Sequence, residues 1–333
     1  MTGGAGAPSV RIAVPERIDA GALAGLDPAA RVADLAGETM GTYWRVRIAA
    51  PPGVDRMAVT QAVQGRLDGL VMQMSHWLPG SLLCAFNAAP GGRWVALPGD
   101  FAAVMAAGLA IAEQSEGAFD PAAGRLTDLY GLGPNPCAGE PEAAALEAAM
   151  GVSGWRRLAF DGAMGRLRQP GGLWLDLSGI AKGYAVDAVA DLLAASGLRH
   201  ALVEIGGECA GRGMKPDGEP WWVDLEVPPD WRVQPLRVAA HQLAVATSGN
   251  YVRGDHTLDP RTGQRVRNGI GAVSVIHASA MAADAWATAL TVLGPEAGAA
   301  LAVREGLAAR ILSRRDGLVR EWLSPALVTM LEG

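Results

Sequence analysis

Apolar and polar residues alternate in short blocks along the chain, and this pattern predicts both helices and strands. Apolar residues recur every three or four positions over 55–74, which predicts an amphipathic helix. The same spacing predicts helices from Asp100, taken as the N-cap, to Glu116, over 180–195 and over 280–293. Two-residue alternation or a short apolar run predicts strands over 39–48, 155–160, 173–177, 201–205, 222–227, 238–246, 270–277, 309–314 and 318–323. The Asp161-Gly162 turn predicts a return strand after the strand over 155–160.

The order of these elements predicts the fold class and the domain division. Strands and helices mix without a regular βαβ alternation, which is typical of an α+β fold. Residues 1–37 are rich in alanine, glycine and proline and are weakly patterned, so they are predicted to be an N-terminal extension that is only partly ordered. Residues 38–330 are then predicted to form one domain, with a Gly- and Pro-rich loop over 131–141.

Composition and charge exclude several classes of protein. Of the 333 residues, 50% are hydrophobic and 19% are charged, so long disordered stretches are not expected. The net charge of −6 does not suit a nucleic-acid groove, which needs a positive surface. No apolar run reaches the ~18–20 residues that span a bilayer, so no transmembrane segment is predicted. The three widely spaced cysteines predict neither a disulfide framework nor a CxxC metal site.

The first residues bear on the cellular location. Residues 1–10 lack the charged and apolar regions of a signal peptide. This predicts a cytoplasmic protein. The alternative is a periplasmic protein whose leader has been removed.

Short polar or glycine-rich motifs follow the predicted strands, where a rigid scaffold can present functional side chains. The chain has no P-loop, HExxH or GxSxG pattern, and its only candidate for a Rossmann glycine pattern is incomplete. Glycines at strand ends allow backbone amides to approach a phosphate group closely. The motifs are Met40-Gly41-Thr42, Gly117-Ala118-Phe119-Asp120, the block from Asp176 to Tyr184 (DLSGIAKGY), Gly206-Gly207-Glu208, Thr247-Ser248-Gly249-Asn250-Tyr251, His256-Thr257-Leu258-Asp259-Pro260 and the block from Ala283 to Thr288 (ADAWAT).

Asp284 and Thr288 form the most informative pair among these motifs. They lie four residues apart on a predicted helix, so their side chains share one face. A carboxylate and a hydroxyl are hard oxygen ligands of the kind that Mg²⁺ prefers beside a substrate phosphate. The alternative is that Asp284 caps the helix and Thr288 bonds to its own backbone.

Lys182 and His256 are candidates for phosphate binding and proton transfer. Lys182 is one of only two lysines and lies in the first turn of a predicted helix, where its charge adds to an anion-favouring helix N-terminus. The alternative is a solvated surface lysine. His256 is a candidate general base, because the unperturbed imidazole of histidine has a pKa of ~6.5 that suits proton transfer near neutral pH. A purely structural histidine is equally compatible with the sequence. Trp44, Trp77 and Phe119 are candidates to stack on a ring system or to pack in the core.

Together and in this order, the seven motifs resemble those of the ApbE family of FAD:protein FMN transferases. The resemblance runs from Glu38 to Leu323. It implies an α+β fold of mixed β-sheets with flanking helices, related to the T-fold, that binds FAD in a central cleft with magnesium at the diphosphate. It also implies transfer of FMN from FAD to a threonine or serine hydroxyl of a target flavoprotein, with release of AMP.

The resemblance assigns roles to particular residues. It implies that His256 is the base that takes the proton of the acceptor hydroxyl. Mg²⁺ would be ligated by the side chains of Asp284 and Thr288 and by the backbone carbonyl of Gly179. The residues that would contact FAD or line its site are Met40, Trp77, Asn87, Ala118, Phe119, Asp120, Asp176, Lys182 and Leu258.

The sequence also departs from the family pattern in two places and leaves two other functions open. Trp77 stands where the family often has tyrosine, and Ala287 stands where some members carry an acidic residue, so the number of metal ions is open. The same site could serve an FAD pyrophosphatase, in which water replaces the protein hydroxyl. A non-catalytic FAD carrier would need neither His256 nor the metal ligands.

Overall fold

The strands of the protein vary from two residues to nine, and the longest, β2 and β3, form one hairpin. The computed structural model describes residues 9–137, 139–249, 254 and 256–332. The strands are β1 (Arg11–Ala13), β2 (Arg31–Thr39), β3 (Thr42–Ala50), β4 (Trp94–Ala96), β5 (Ala159–Asp161), β6 (Arg166–Arg168), β7 (Ala201–Ile205), β8 (Glu208–Arg212), β9 (Trp221–Asp224), β10 (Leu236–Ala240), β11 (Leu243–Ser248), β12 (Leu258–Asp259), β13 (Gln264–Arg265), β14 (Ile270–His277), β15 (Ala308–Arg315) and β16 (Leu318–Leu323).

Helices connect and cover these strands. The first long helix begins after Asp55, whose side chain accepts hydrogen bonds from the N–H groups of Met57 and Ala58 as an N-cap. The helices are α1 (Arg56–Met74), α2 (Leu82–Asn87), α3 (Gly99–Gln114), α4 (Gly124–Leu129), α5 (Ala143–Val152), α6 (Ala181–Ala195), α7 (Ala280–Arg304) and α8 (Pro325–Glu332), with 3₁₀ turns at Ala20–Leu23 and Trp155–Arg157.

The main layer is an eight-stranded antiparallel sheet in the order β16-β15-β14-β11-β8-β7-β3-β2. Helices α6 and α7 pack against it and against each other, and α1 packs on β2 and α6. The largest hydrophobic cluster lies between sheet and helices and fully buries Trp44, Phe86 and Phe101. This packing places the start of α6 beside Glu208, the first residue of β8, and Thr288 of α7 beside Ser248, the last residue of β11.

Smaller sheets flank this layer. In one of them β1 pairs in parallel with β10, which pairs antiparallel with β9. Strands β4, β6 and β5 form a second sheet, and β12 and β13 form a two-stranded ribbon. The predicted α+β class is confirmed, because antiparallel sheets and helices are combined without βαβ units in the part of the chain that the structure describes.

Several predicted elements are confirmed, whereas the predicted N-terminal extension contains unexpected strands. Helices α1 and α6 and strands β7 and β14 agree with prediction, as does the β15–β16 hairpin. The β5–β6 hairpin forms at the predicted Asp161-Gly162 turn, but the strand predicted over 155–160 begins only at Ala159, because Trp155–Arg157 form a 3₁₀ turn. Most of strand β2 lies in the segment 1–37, where Ala33 and Leu35 are buried against the core although small and polar residues blur the alternation. The strand predicted over 39–48 begins only at Thr42, because Met40, with φ of 50°, and Gly41 form the β2–β3 turn.

Two predicted strands were wrong. The segment 238–246 is divided between β10 and β11, which belong to different sheets, because the chain turns at His241 and Gln242, the latter with φ of 55°. The segment 173–177 is extended but pairs with no strand among the described residues. Its backbone is held instead by the Asn87 side chain, by Gly124 and by Pro121.

Two helix predictions also need correction. Asp100 does not cap α3, which begins at Gly99, because its carboxylate is paired with Arg66. Helix α7 continues well past residue 293, through a break at Gly294 that precedes Pro295. By length and composition α7 is the one helix of the described residues that could cross a membrane. Here it is a core helix packed on the sheet, which explains its apolar composition.

Candidate active site

The candidate site forms where α6 and α7 make their closest approach. A Cβ atom on Gly183 would lie 2.2 Å from the carbonyl oxygen of Ala280, so only glycine allows the two helices to meet here. The Gly183 N–H donates to Oδ2 of Asp284 at 3.0 Å. Asp284 therefore accepts one of the unpaired N–H groups in the first turn of α6. It does not cap its own helix, whose N-cap is Ser279.

Three charged side chains gather around this contact. Glu208, the first residue of β8, accepts a hydrogen bond and ion pair from Nζ of Lys182. Glu208 and Asp284 are both buried, with 3% and 4% exposure. Burial raises the pKa of each carboxyl, and the Lys182 ammonium opposes that rise. With both carboxylates ionised, these three side chains carry one net negative charge, which favours a cation.

One turn further along α7, Thr288 lies against the loop that precedes α6. A Cβ atom on Gly179 would lie 2.9 Å from Oγ1 of Thr288, so the absence of a side chain leaves space beside that hydroxyl. Oγ1 of Thr288 also lies 3.3 Å from Oγ of Ser248, at the end of β11. Thr288 thus faces neighbouring segments, and across the described ranges its hydroxyl makes no bond to its own helix backbone.

The loop before α6 is positioned by the extended segment 173–177. Asn87 holds this segment, because its Oδ1 accepts from the Leu175 N–H at 2.8 Å. Asp176 accepts from the N–H and hydroxyl of Ser178, at 2.9 and 2.6 Å, which fixes the turn that leads to Gly179. Oδ1 of Asp176 also lies 3.6 Å from Nδ1 of His76.

The segment 118–121 packs against the same loop. Ala118 and Phe119 are buried, and the Phe119 ring lies against Gly179. The Asp120 carboxylate accepts from the N–H groups of Ala122 and Trp155 at 2.7 and 3.1 Å. Burial raises the pKa of Asp120 to about 6. The Phe119 ring and the Pro121 carbonyl, which accepts a hydrogen bond from the Asp176 N–H at 2.9 Å, therefore support the segment 176–179.

A cavity of about 150 Å³ opens beside residues 174–176. Ligand pockets that hold a whole cofactor measure ~300–1,000 Å³, so this cavity can hold only one part of a dinucleotide. It is lined by His76, Cys84, Asn87, Thr127, Trp174 and Asp176, among others.

Comparison with known proteins identifies the family. The model of the ApbE family matches residues 40–311. The chain belongs to the ApbE family. It is 33% identical over 321 residues to the FAD:protein FMN transferase of Klebsiella pneumoniae, covering 92% of this chain and 91% of that protein.

Solved structures of ApbE proteins have the same fold. The flavin transferase ApbE from Vibrio cholerae superposes with a TM-score of 0.85 at 32% identity, covering 90% of this chain and 99% of that one. The apo form of the flavinyl transferase ApbE from Pseudomonas stutzeri also gives 0.85, at 36% identity, covering 91% and 98%.

Several ApbE motifs that lie far apart in the sequence contact one another in the fold. The Met40-Gly41-Thr42 motif forms the β2–β3 turn, and the side chain of Thr42 contacts Gly206. Gly206 begins the turn that leads into Glu208. Contacts therefore link the motif regions of Thr42, Glu208, Lys182, Asp284 and Thr288 from one to the next.

Three other residues predicted from the ApbE resemblance have different surroundings. Trp77 is 60% exposed and lies beside His76, with ring centroids 5.2 Å apart. Leu258 is buried in a separate small cluster around α4. Nδ1 of His256 lies 2.8 Å from the carbonyl oxygen of Gly254. Residues 250–253 and 255, including Asn250 and Tyr251 of the predicted motif, lie outside the described residues.

Sequence reasoning missed Glu208 and His76 as members of the site. Glu208 belongs to one of the seven motifs, but its role depends on burial against Lys182, which no local pattern reports. His76 precedes Trp77 directly, yet only the fold brings it to Asp176. The one available signal for Glu208 was an acidic residue placed directly after two glycines at a strand end.

Proposed function

We propose that this chain is a magnesium-dependent FAD:protein FMN transferase, which moves FMN from FAD to a threonine or serine hydroxyl of a target flavoprotein and releases AMP. The observation that carries the proposal is the meeting of Lys182, Asp284 and Thr288 with the Gly179 loop at the start of α6. Relatives that are 32–33% identical over most of the chain bear the name of this activity.

The donor set fits Mg²⁺. Asp284 supplies a buried carboxylate, Thr288 a hydroxyl and Gly179 a backbone carbonyl, all of them hard oxygen ligands. The space that a Cβ atom on Gly179 would fill lies next to the Thr288 hydroxyl. Within the described ranges no three His, Cys, Asp or Glu side chains converge, so a site here must use neutral oxygens and waters as well. When bound, the ion would neutralise charge on the FAD diphosphate.

The chain's own residues would bind and orient FAD. Lys182 lies in the first turn of α6, where backbone N–H groups and the helix dipole favour an anion such as the diphosphate. The cavity beside Asp176 has room for one ring system, and the exposed Trp77 nearby could stack on a second. Met40, Asn87 and the 118–120 segment would form the remaining walls.

His256 is proposed to take the proton of the acceptor hydroxyl. The Gly254 carbonyl can only accept a hydrogen bond, so contact with it favours the tautomer in which Nδ1 carries the proton. Nε2 is then the basic nitrogen. As the hydroxyl oxygen attacks the FMN-side phosphorus, its proton passes to Nε2, the bond from that phosphorus to the bridging oxygen breaks, and AMP leaves.

One incubation tests this function. The purified chain is mixed with FAD, Mg²⁺ and an acceptor flavoprotein produced without its flavin, and the acceptor is weighed by mass spectrometry. A gain of one FMN group with release of AMP is expected, and chelation by EDTA should abolish it until Mg²⁺ is restored. Free FMN without acceptor labelling would indicate a pyrophosphatase instead, and unchanged FAD would indicate a carrier.

A further inference from the structure

The burial of Glu208 is not explained by the proposed chemistry. Glu208 is 3% exposed and ion-paired with Lys182, a residue proposed to face the diphosphate. Removing a carboxylate from water is costly, so its burial here calls for a function or a strong compensating partner. A carboxylate beside Lys182 also weakens the attraction of that lysine for an anion. Glu208 therefore has to serve the site in some other way.

Two rigid elements hold this pair. Glu208 lies in the β7–β8 ladder opposite Ile205, so the sheet fixes its backbone. Lys182 is in the first turn of α6, and the backbone of the adjacent Gly183 is fixed by Asp284. The flexible part is the lysine side chain, which loses rotamer freedom when its ammonium is held at one point.

Asp284 is a competing partner for the same ammonium. Asp284 accepts a hydrogen bond from the N–H of Gly183, the residue that follows Lys182, so its carboxylate also lies near the lysine. The Lys182 ammonium accordingly opposes the rise in pKa that burial causes in both carboxyls. The ion pair is made with Glu208, while Asp284 accepts from the backbone of Gly183. A lysine paired with Asp284 would have to be displaced by any metal ion and would repel it.

We infer that Glu208 is a positioning residue that holds the Lys182 ammonium away from Asp284 and so reserves the Asp284 carboxylate for a divalent cation. The inference rests on the proposed function, because it takes Asp284 as a metal ligand. Glu208 acts through Lys182 and need not touch the metal ion. Without its negative charge, Lys182 turns to Asp284 and the cation binds more weakly.

A double-mutant cycle with Mn²⁺ as the probe tests this inference. Mn²⁺ binding to the full-length chain without FAD is followed by electron paramagnetic resonance. Glu208→Gln should weaken Mn²⁺ binding by about 10-fold or more, the usual effect of losing a residue that orients a metal ligand. Lys182→Met in the Glu208→Gln background should restore it, because the competing ammonium is gone. A loss that Lys182→Met does not relieve, or no loss at all, would overturn the inference.

Glu204→Gln is the matched control. Glu204 lies opposite Cys209 in the same hairpin and accepts a hydrogen bond from Tyr43, not from Lys182. Its substitution should change Mn²⁺ affinity by less than twofold. If Glu208→Gln does not fold, Glu208→Asp replaces it. The loss of Mn²⁺ affinity should then be smaller, and Lys182→Met should again remove it. A loss of affinity that persists in the double variant counts against the inference.

The inference and the proposed function can fail separately. A wild-type chain that labels its acceptor with FMN but binds no Mn²⁺ would overturn the role of Glu208 and leave the transfer of FMN standing. A chain that shows the expected Mn²⁺ cycle but never labels an acceptor would leave the role of Glu208 standing and overturn the transferase.

Discussion

His256 and Lys182 should differ in which step of the reaction they affect. His256 is proposed to act only as the hydroxyl proton leaves, so His256→Ala should lower kcat by about 10²–10⁴ and leave FAD affinity nearly intact. Lys182 is proposed to face the diphosphate before and during the reaction, so Lys182→Ala should weaken FAD binding as well as turnover. Steady-state kinetics and calorimetry with FAD separate the two effects. Wild-type turnover in His256→Ala would assign the base to another residue.

Gly179 tests the geometry of the metal ligands without removing any of them. The Cβ atom in Gly179→Ala would lie 2.9 Å from Oγ1 and 3.3 Å from Cγ2 of Thr288, so the hydroxyl must move. Turnover should fall at least 10-fold and more Mg²⁺ should be needed for half-maximal rate, because a metal ligand has been displaced. Gly65→Ala, in the open interior of α1, is the control and should stabilise the helix slightly without changing turnover. Equal Mg²⁺ dependence in both variants would contradict the proposal that Gly179 and Thr288 are metal ligands.

At the scale of elements, Asp100 joins three helices. Its carboxylate accepts two hydrogen bonds of 2.6 Å from Arg66 of α1 and one of 2.6 Å from the Tyr184 hydroxyl of α6, while Asp100 itself belongs to α3. Asp100→Asn should reduce the free energy of unfolding by about 2 kcal/mol, because hydrogen bonds to a charged group are lost. The exposed pair of Asp34 with Arg45 is the control, and Asp34→Asn should cost less than about 1 kcal/mol.

The Asp100 prediction also has a pH signature. Hydrogen bonds from Arg66 hold the pKa of Asp100 well below its ordinary value of 3.8. The folded state therefore favours the ionised form, and the stabilisation is fully present above pH 3.8 and is lost as the pH falls towards the folded-state pKa. Urea unfolding from pH 7 to pH 3 should show the difference between wild type and Asp100→Asn shrinking at the acid end. A difference independent of pH would show that charge is not its cause.

At the scale of the whole molecule, Glu321 ties the N-terminal strand to the far edge of the main sheet. On β16 it binds both Arg11 of β1 and Arg310 of β15, and the side chain of Arg310 is fully buried. Glu321→Gln leaves that guanidinium without its carboxylate and should cost about 3 kcal/mol of stability. Glu296→Gln, at an exposed pair with Arg315, should have almost no effect. Thermal unfolding of the two variants compares them directly, and equal melting temperatures would contradict this role.

Local sequence determined the elements whose signals are complete within a few residues. Helix α1 could be predicted because its N-cap Asp55 and its apolar face are both local, and the hairpins because their turn residues lie between two apolar runs. The motifs and their order along the chain are by themselves enough to indicate the ApbE family. Asp284 and Thr288 share a helix face whatever the rest of the chain does.

Only the tertiary structure decided which partners these residues have. Asp100 suits an N-cap by sequence, but Arg66, 34 residues away, takes its carboxylate. The segment 173–177 resembles a strand, yet Asn87 supplies the hydrogen bond that a neighbouring strand would have made. Glu208 is a surface residue by type and is buried because Lys182 meets it across the fold. Whether a residue is buried, and which partner it pairs with, depends on residues that are distant in the sequence. The periodicity of a segment therefore does not predict its burial or its partners.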